Sequence, residues 1–252
     1  MTGTDKQSEE WKRLLSAPYD NLETRAFRHL PADPRCLLCN SPYGGPLAPL
    51  LRAVGYGRSE RYPQLCRPCF RHLERHPGGA EVTITVLFAD VRGSTAIAEQ
   101  TSAEEFRQVL EGFYRHVTEV VADERGIIDK FLGDGVMALF VPSFALMEDA
   151  AHGLAAARRI LADAALPIGI GLNTGPAFTG FLGPSSEVAS FTAVGDAVNV
   201  AHRLGEAAGA GELIIADATL AATGLADREA GWEMRTLSVK GREQPVEAWS
   251  IR

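Results

Sequence analysis

The spacing of apolar residues along this chain changes near residue 80. Beyond that point, short β-branched apolar runs alternate with stretches in which apolar residues recur every three or four positions, which predicts strands and amphipathic helices. Before it the chain is rich in Pro, Arg and Gly, and the pattern predicts one short helix beginning at "EWKRLL", residues 10–15. The segment "RHPGGAE", residues 75–81, is predicted to be a linker, because Pro-Gly-Gly cannot continue a helix.

The order of the predicted elements after this linker indicates the fold class. The strand "VTITVLFAD" is followed by a helix that Ser102 caps, with Glu105 completing a capping box, and Gly126 ends this helix. The strands "GIIDKF" and "VMALFV" then flank "LGDG", a hairpin turn signal. The later predicted elements are an Ala-rich helix over 146–163, a strand "PIGIGLNTG", a helix "AVNVAHRLGEAA", a strand "GELIIA" and a hairpin "MRTLSVKGREQPVEAWSI". Strand pairs mixed with helices predict an α+β, ferredoxin-like fold with helices packed on a mostly antiparallel sheet.

Composition and net charge exclude several classes of protein. The chain has 252 residues, 46% hydrophobic and 23% charged, which is typical of a globular protein. Its formal net charge of −7 argues against sequence-independent binding to nucleic acid. The N-terminus does not resemble a signal peptide, and no apolar run reaches the roughly 18 residues that span a bilayer. We expect a cytoplasmic protein without a membrane or nucleic-acid partner, composed of an N-terminal module, 1–79, and a larger domain, 80–252.

A carboxylate ends the first strand of the larger domain, in "VLFADVRGST", residues 86–95. In a ferredoxin-like order this strand neighbours the hairpin that carries Asp134, so Asp90 and Asp134 are expected to meet at one edge of the sheet. Carboxylates that are held close repel each other unless a cation lies between them, and oxygen ligands suit Mg²⁺ or Mn²⁺. The backbone N–H groups of Gly93, Ser94 and Thr95 are predicted to cradle a phosphate. Ordinary turn residues would give the same spacing, and that alternative stays open at this point.

Five sequence blocks carry a resemblance to a known family. They are "FADVRGST", "KFLGDGVMALF", "GIGLNTG", "AVGDAVNVAHRLGEAAGAGELIIA" and "LSVKGREQPVEAW". Together, and in this order, they resemble the catalytic domain of class III nucleotidyl cyclases over about two thirds of the chain, 82–252. The chain lacks the GxxxxGK[ST] loop of P-loop NTPases, which makes that class the poorer explanation.

The resemblance implies an enzyme that works as a head-to-tail homodimer with composite sites. Asp90, Asp134 and the carbonyl of Val91 would hold two Mg²⁺ or Mn²⁺ ions in each site. These ions would bind the triphosphate while the ribose 3′-hydroxyl attacks the α-phosphorus and pyrophosphate leaves.

The partner subunit would complete each site, again by resemblance. Lys130 would donate to the base, and Thr192 stands where many adenylyl cyclases have an aspartate that accepts from the adenine amino group. Asn199 would orient the ribose, and Arg203 would stabilise the charge that grows on the α-phosphate. His202 points away from the face that these two residues share by helical spacing, and we expect a surface or structural role for it.

The function that follows is an adenylate cyclase that converts ATP to cyclic AMP and pyrophosphate. Lys240 resembles the lysine that reaches the β- and γ-phosphates, and Arg242 is close enough in sequence to compete for this role. Two alternatives stay open: a guanylate cyclase, and a nucleotide-binding regulatory module without turnover. Four positions that turnover requires are present, which weighs against the second alternative: Asp90, Asp134, Asn199 and Arg203.

The four cysteines lie in two CxxC pairs, Cys36 with Cys39 and Cys66 with Cys69. Four thiolates at this spacing predict a tetrahedral Zn²⁺ site. The intervening segment, 40–65, has few large apolar residues, so bound metal is expected to serve as the core of this module. An Fe–S cluster, a redox-active disulfide switch and four unliganded thiols remain as alternatives.

Overall fold

The computed structural model describes residues 3–30, 34–183, 189–225, 231–238 and 244–252, and it divides the chain into two compact units. The first unit contains Met1–Val82, Val141–Met147 and Phe178–Thr192, and the second contains Thr83–Phe140, Glu148–Ala177 and Ala193–Arg252. The first unit therefore includes two segments from the larger half of the sequence. The domain boundary between residues 79 and 80 stays a prediction.

The first unit holds more helix than its sequence pattern predicts. Where one short helix is expected, its described residues form four: α1 Gly3–Ser16, α2 Leu22–Arg28, α3 Ala48–Ala53 and α4 Arg67–Arg75. Apolar periodicity cannot reveal the three shortest, because none is longer than nine residues. The side chain of Asn21, for example, caps α2 by accepting the N–H of Thr24 at 2.7 Å.

The predicted linker at 75–81 is wrong, because strand β1, Gly78–Val91, begins inside it. A Cβ atom on Gly79 would lie 2.4 Å from the carbonyl oxygen of Thr179. Only glycine lets the backbone at 79 approach that of Thr179 so closely. The glycines that suggest a flexible connection therefore belong to a strand that runs without interruption to Asp90.

An aromatic cluster contributes to the core of the first unit, and the role of bound metal as the core of the cysteine module stays a prediction. The ring of Phe181 is central: its centroid lies 5.9 Å from Tyr62, 6.1 Å from Phe70 and 5.7 Å from Phe191. Trp11 packs on the same ring at 6.3 Å. Because Phe181 and Phe191 come from 178–192, the segment 40–65 taken by itself does not reveal this core.

The second unit contains the remaining elements, with β1 and two other strands continuing into it from the first unit. They are α5 Ser94–Gln100, α6 Ala103–Asp123, β2 Ile127–Leu132, β3 Gly135–Phe140, α7 Asp149–Ala162, β4 Ile168–Leu182, β5 Ser190–Val194, α8 Asp196–Ala207, β6 Glu212–Ala216, α9 Asp217–Ala222, β7 Glu233–Leu237 and β8 Val246–Ile251.

The described strands form one sheet in the order β2-β3-β1-β4-β6-β8-β7, and β5 pairs with β4. The pairs β1/β3, β2/β3, β6/β8 and β7/β8 are antiparallel, whereas β4/β6 is parallel. Helix α6 begins with the predicted capping box between Ser102 and Glu105, and it buries Phe113 and Val117. The α+β fold with helices on a mostly antiparallel sheet is confirmed.

Some details of the predicted elements differ, since α5 and β5 were not predicted and β4 extends to Leu182. The Ala-rich helix begins at Asp149 rather than at residue 146, because Leu146 and Met147 take left-handed φ angles of 55° and 72° that a helix does not accept. Helix α9 was not predicted, since it spans only six residues.

A buried carboxylate near the C-terminal hairpin gives a test of stability. Burial raises the pKa of Glu212, but hydrogen bonds from Ser250 and the backbone of Gly209, together with Arg235 at 2.7 Å, outweigh it and lower the pKa below its usual value. Glu212→Gln is expected to cost about 2 kcal/mol of unfolding free energy at pH 7, because it weakens charged hydrogen bonds.

A carboxylate whose pKa is lower in the folded state than in the unfolded state stabilises the fold at any pH above its unfolded-state pKa. This stabilisation is lost as the pH falls through the folded-state pKa. Urea unfolding should therefore show the difference between Glu212→Gln and the parent shrinking below about pH 4. An equal difference at pH 7 and pH 3 would contradict this electrostatic origin.

Candidate active site

The structure brings Asp90 and Asp134 to the same edge of the sheet. Asp90 lies near the end of β1 and pairs in register with Gly135, the first residue of β3. The N–H of Val91, itself buried, donates to the backbone carbonyl of Asp134 at 3.0 Å. The hairpin between β2 and β3 thus holds its turn carboxylate beside the carboxylate of β1.

The surroundings of Asp90 make a negative charge there costly. Burial raises the pKa of Asp90, Arg92 at 3.2 Å lowers it, and the neighbouring carboxylate of Asp134 raises it again. The net result is a pKa above the usual value of an aspartate. A cation between the two carboxylates would relieve this repulsion.

Residues around Asp134 fix its position. The hydroxyl of Ser94 is buried and donates to the Asp134 carboxylate, while the hydroxyl of Tyr114 donates to the carbonyl of Gly133 in the same turn. Gly93 precedes α5 with φ 71°, and Thr95 is exposed. The Gly-Ser-Thr segment predicted to cradle a phosphate therefore also orients one carboxylate.

These residues fit a hard divalent cation. Both donors are carboxylates, which Mg²⁺ and Mn²⁺ prefer. Gly135 leaves room beside them, since a Cβ atom there would lie 3.1 Å from Oδ2 of Asp90. Asp90 and Asp134 would hold such an ion.

Helix α8 presents Asn199 and Arg203 to solvent. The two side chains lie one turn apart on its exposed face, while the opposite face, with Val200 and Leu204, is buried. Nη1 of Arg203 pairs with Glu206 at 2.5 Å on the helix surface. Both side chains are thus accessible from outside this protomer.

His202 lies on the same helix and faces a different neighbour. It is exposed, as expected, and its ring packs against Phe88 with centroids 5.0 Å apart. Its charge lowers the pKa of Asp90. His202 therefore lies near the carboxylate of its own chain.

The remaining predicted site residues lie elsewhere along the chain. Lys130 is an exposed residue of β2, with Nζ 3.5 Å from Oδ2 of Asp129. Thr192 is a buried residue of β5 in the first unit. Lys240 and its competitor Arg242 lie outside the described residues.

Arg92 is the site residue that the sequence did not single out. Its Nη2 atom lies 3.2 Å from Asp90 and donates to the carbonyl of Gly205 at 2.7 Å, and its backbone N–H donates to the carbonyl of Pro167. Arg92 thereby joins the end of β1 to helix α8. The only signal in the sequence was a basic residue shortly after the carboxylate that ends a strand. That signal does not distinguish an arginine that links two elements from one whose side chain is simply solvated.

The four cysteines form a second site in the first unit. Their Sγ atoms all lie within 4.8 Å of one another, and those of Cys39 and Cys66 are 3.6 Å apart. Cys36, Cys39 and Cys66 are buried, and Cys69 is half-buried. The backbone N–H of Cys66 donates to Sγ of Cys36 at 3.3 Å, as in metal-binding knuckles that orient their thiolates.

Contacts among the four sulfurs shift the pKa of Cys36, Cys39 and Cys69. Burial raises the pKa of Cys36, but hydrogen bonds from Cys39, Cys66 and Cys69 outweigh it, so the pKa lies well below that of a free thiol. Hydrogen bonding to Cys36 raises the pKa of Cys39 and Cys69. Burial, followed by the charge of Cys36, raises the pKa of Tyr43, whose hydroxyl stays protonated beside the sulfurs.

Known proteins share the fold and part of the sequence. Residues 79–251 match the family model of the adenylate and guanylate cyclase catalytic domain. The solved guanylyl cyclase Cya2 is 31% identical with a TM-score of 0.63, over 69% of this chain and 93% of that one. The adenylyl cyclase CyaB from P. aeruginosa is 25% identical with a TM-score of 0.59, over 69% of this chain and 95% of that one. An uncharacterized protein of Mycobacterium tuberculosis is 32% identical over 178 residues, 67% of this chain.

The chain therefore belongs to the class III nucleotidyl cyclases, as its sequence blocks predict. It spans only 31% of the length of the mycobacterial relative. Class III cyclases generally use Mg²⁺ or Mn²⁺, bind nucleotide substrates and usually dimerise. Among the residues that the structure describes, no helix is long and apolar enough to cross a membrane.

Proposed function

We propose that this protein is an adenylate cyclase that forms 3′,5′-cyclic AMP and pyrophosphate from ATP in composite sites of a head-to-tail homodimer. The observation that carries the proposal is the placement of Asp134 beside Asp90 at one edge of the sheet, where Asp90 pairs with Gly135 and the N–H of Val91 donates to the Asp134 carbonyl. The exposed Asn199 and Arg203 on α8 complete it. One face supplies carboxylates, and the other supplies an amide and a cation. A catalytic centre for a triphosphate needs both.

Within this proposal the protein's own residues bind, orient and stabilise. Asp90 and Asp134, with the Val91 carbonyl, would hold two Mg²⁺ or Mn²⁺ ions, and ions held there would supply charge neutralisation for the triphosphate. Asn199 of the partner orients the ribose so that its 3′-hydroxyl faces the α-phosphorus. Arg203 of the partner places a guanidinium fork against the α-phosphate as its charge grows.

The choice of ATP rests on base recognition. The ammonium of Lys130 donates hydrogen bonds only, which suits N1 of adenine, an acceptor, and opposes the N1–H of guanine. The hydroxyl of Thr192 accepts from the adenine amino group but is able to donate to guanine O6 as well. Lys130 therefore carries most of the discrimination, and Thr192 sharpens it less than an aspartate would.

A guanylate cyclase is the second candidate, favoured by the greater identity to the guanylyl cyclase Cya2. The purified chain should be given ATP and GTP separately with Mn²⁺ or Mg²⁺, and the cyclic products measured by mass. We expect kcat/KM for ATP to exceed that for GTP by at least about tenfold, equivalent to one charged hydrogen bond. Preferential cyclic GMP formation would replace the proposal with the second candidate, and nucleotide binding without either product would contradict both.

A further inference from the structure

The cysteine cluster has the geometry of a site for one ion. Zn²⁺ with four thiolates is tetrahedral, and bonds of about 2.3 Å place its sulfur atoms about 3.8 Å apart. The observed Sγ distances, 3.6 Å between Cys39 and Cys66 and at most 4.8 Å overall, surround a single point. A multi-iron cluster would spread its four thiolates around several metal atoms. Four thiolates also leave no open coordination position, so the site is structural rather than catalytic.

The loop that leads into Cys66 is held in a tight turn. The N–H of Leu65 donates to the carbonyl of Tyr62 at 2.9 Å, and the N–H of Ser59 donates to the carbonyl of Leu65 at 2.8 Å. Tyr62 is 8% exposed. Fixing the sulfur of Cys66 on a metal therefore also fixes the position of Tyr62.

Tyr62 contacts the strand that contains Thr192. Its hydroxyl accepts the backbone N–H of Phe191 at 2.9 Å, and its ring packs on Phe181 at 5.9 Å. The neighbouring Arg61 donates to the carbonyl of Ala189 at 2.5 Å. Two successive residues of the cysteine loop thus hold β5 and its approach, directly before Thr192.

We propose that Cys36, Cys39, Cys66 and Cys69 bind one Zn²⁺ and that this ion, acting through Tyr62, holds strand β5 in the position in which Thr192 meets the substrate base. Tyr62 is a positioning residue, since it acts through Phe191 and not on the nucleotide. The role of Thr192 rests on the proposed function, whereas the zinc site and the attachment of β5 do not.

Tyr62→Phe is the most specific test, because it removes the hydroxyl that accepts from Phe191 and keeps both the ring and the cysteines. Tyr56→Phe is its matched control: Tyr56 lies in the same loop, and its hydroxyl donates to Glu23 at 2.9 Å. Both variants should retain one zinc per chain by elemental analysis. Tyr62→Phe should raise KM for ATP about fivefold, which corresponds to the free energy of one hydrogen bond. The ratio of kcat/KM for ATP to kcat/KM for GTP should fall, while kcat for ATP stays within about twofold of wild type. Tyr56→Phe should change none of these.

Amide hydrogen exchange separates this inference from the proposed function. Exchange at Phe191 should accelerate at least about tenfold in Tyr62→Phe and also in Cys66→Ser, which loses its zinc. Purified wild-type protein without stoichiometric zinc, or with iron in its place, would overturn the zinc site. Unchanged exchange at Phe191 and unchanged KM in Tyr62→Phe would overturn the link to β5. Absence of cyclic nucleotide from wild-type protein would contradict the proposed function alone, because zinc content and exchange still decide this inference.

Discussion

Asp90→Asn should lower kcat for cyclic AMP formation by about 10³-fold or more, equivalent to several kcal/mol of lost transition-state stabilisation. The substitution leaves the side chain the same size but removes the charge that holds a divalent ion beside Asp134. Because burial and Asp134 together raise the pKa of Asp90, its ionised form is not a source of stability. We therefore expect the unfolding free energy to stay within about 1 kcal/mol of the parent, with the loss of the partly exposed pair with Arg92 as the main cost.

Asp123→Asn is the matched control for this substitution, since Asp123 is an exposed carboxylate that also pairs with an arginine, Arg159. It should retain full turnover. Steady-state assays of both variants at saturating Mn²⁺, with unfolding curves on the same samples, provide the measurement. Comparable cyclic AMP output from Asp90→Asn would contradict the assignment of the carboxylate pair.

Arg203→Ala should lower kcat about 10²- to 10³-fold while KM for ATP changes little, because the guanidinium acts on charge that develops only in the transition state. Stability should change little, since the surface pair between Arg203 and Glu206 is exposed. Arg159→Ala is the control, because Arg159 is 43% exposed, as Arg203 is 42%, and also forms surface ion pairs. A large rise in KM at unchanged kcat would show that Arg203 binds substrate without stabilising the transition state.

The sequence predicts the fold best where local signals and apolar period agree. The capping box at Ser102 and the hairpin around "LGDG" combine a turn or cap signal with a regular pattern, and both are present. The N-terminal region lacks such agreement: its helices are short, and its core includes Phe181 and Phe191 from far along the chain. Its Pro-Gly-Gly segment is typical of a loop, but Gly78 and Gly79 belong to β1, and Gly79 lies close to the backbone of Thr179.

The residues of the candidate site also differ in how far the sequence predicts them. Asp90 and Asp134 were predictable as neighbours because the hairpin following a strand usually pairs beside it, and the register bears this out. Arg92 and Tyr62 were not, because their contacts with Gly205 and Phe191 lie 113 and 129 residues away in the sequence. No local pattern encodes contacts at that separation. The roles of Asn199, Arg203 and Lys130 come from family resemblance and stay predictions.

Mixing the two disabled variants tests the composite site most directly. Asp90→Asn and Arg203→Ala homodimers should each be nearly inactive, because every site in them lacks one essential group. Random exchange of protomers makes half of the dimers mixed, and each mixed dimer has one intact site of two, so the mixture should regain about a quarter of wild-type cyclic AMP formation. Co-purification through two different affinity tags verifies that mixed dimers have formed. Activity no greater than the average of the two parents in such co-purified dimers would contradict a site shared between protomers.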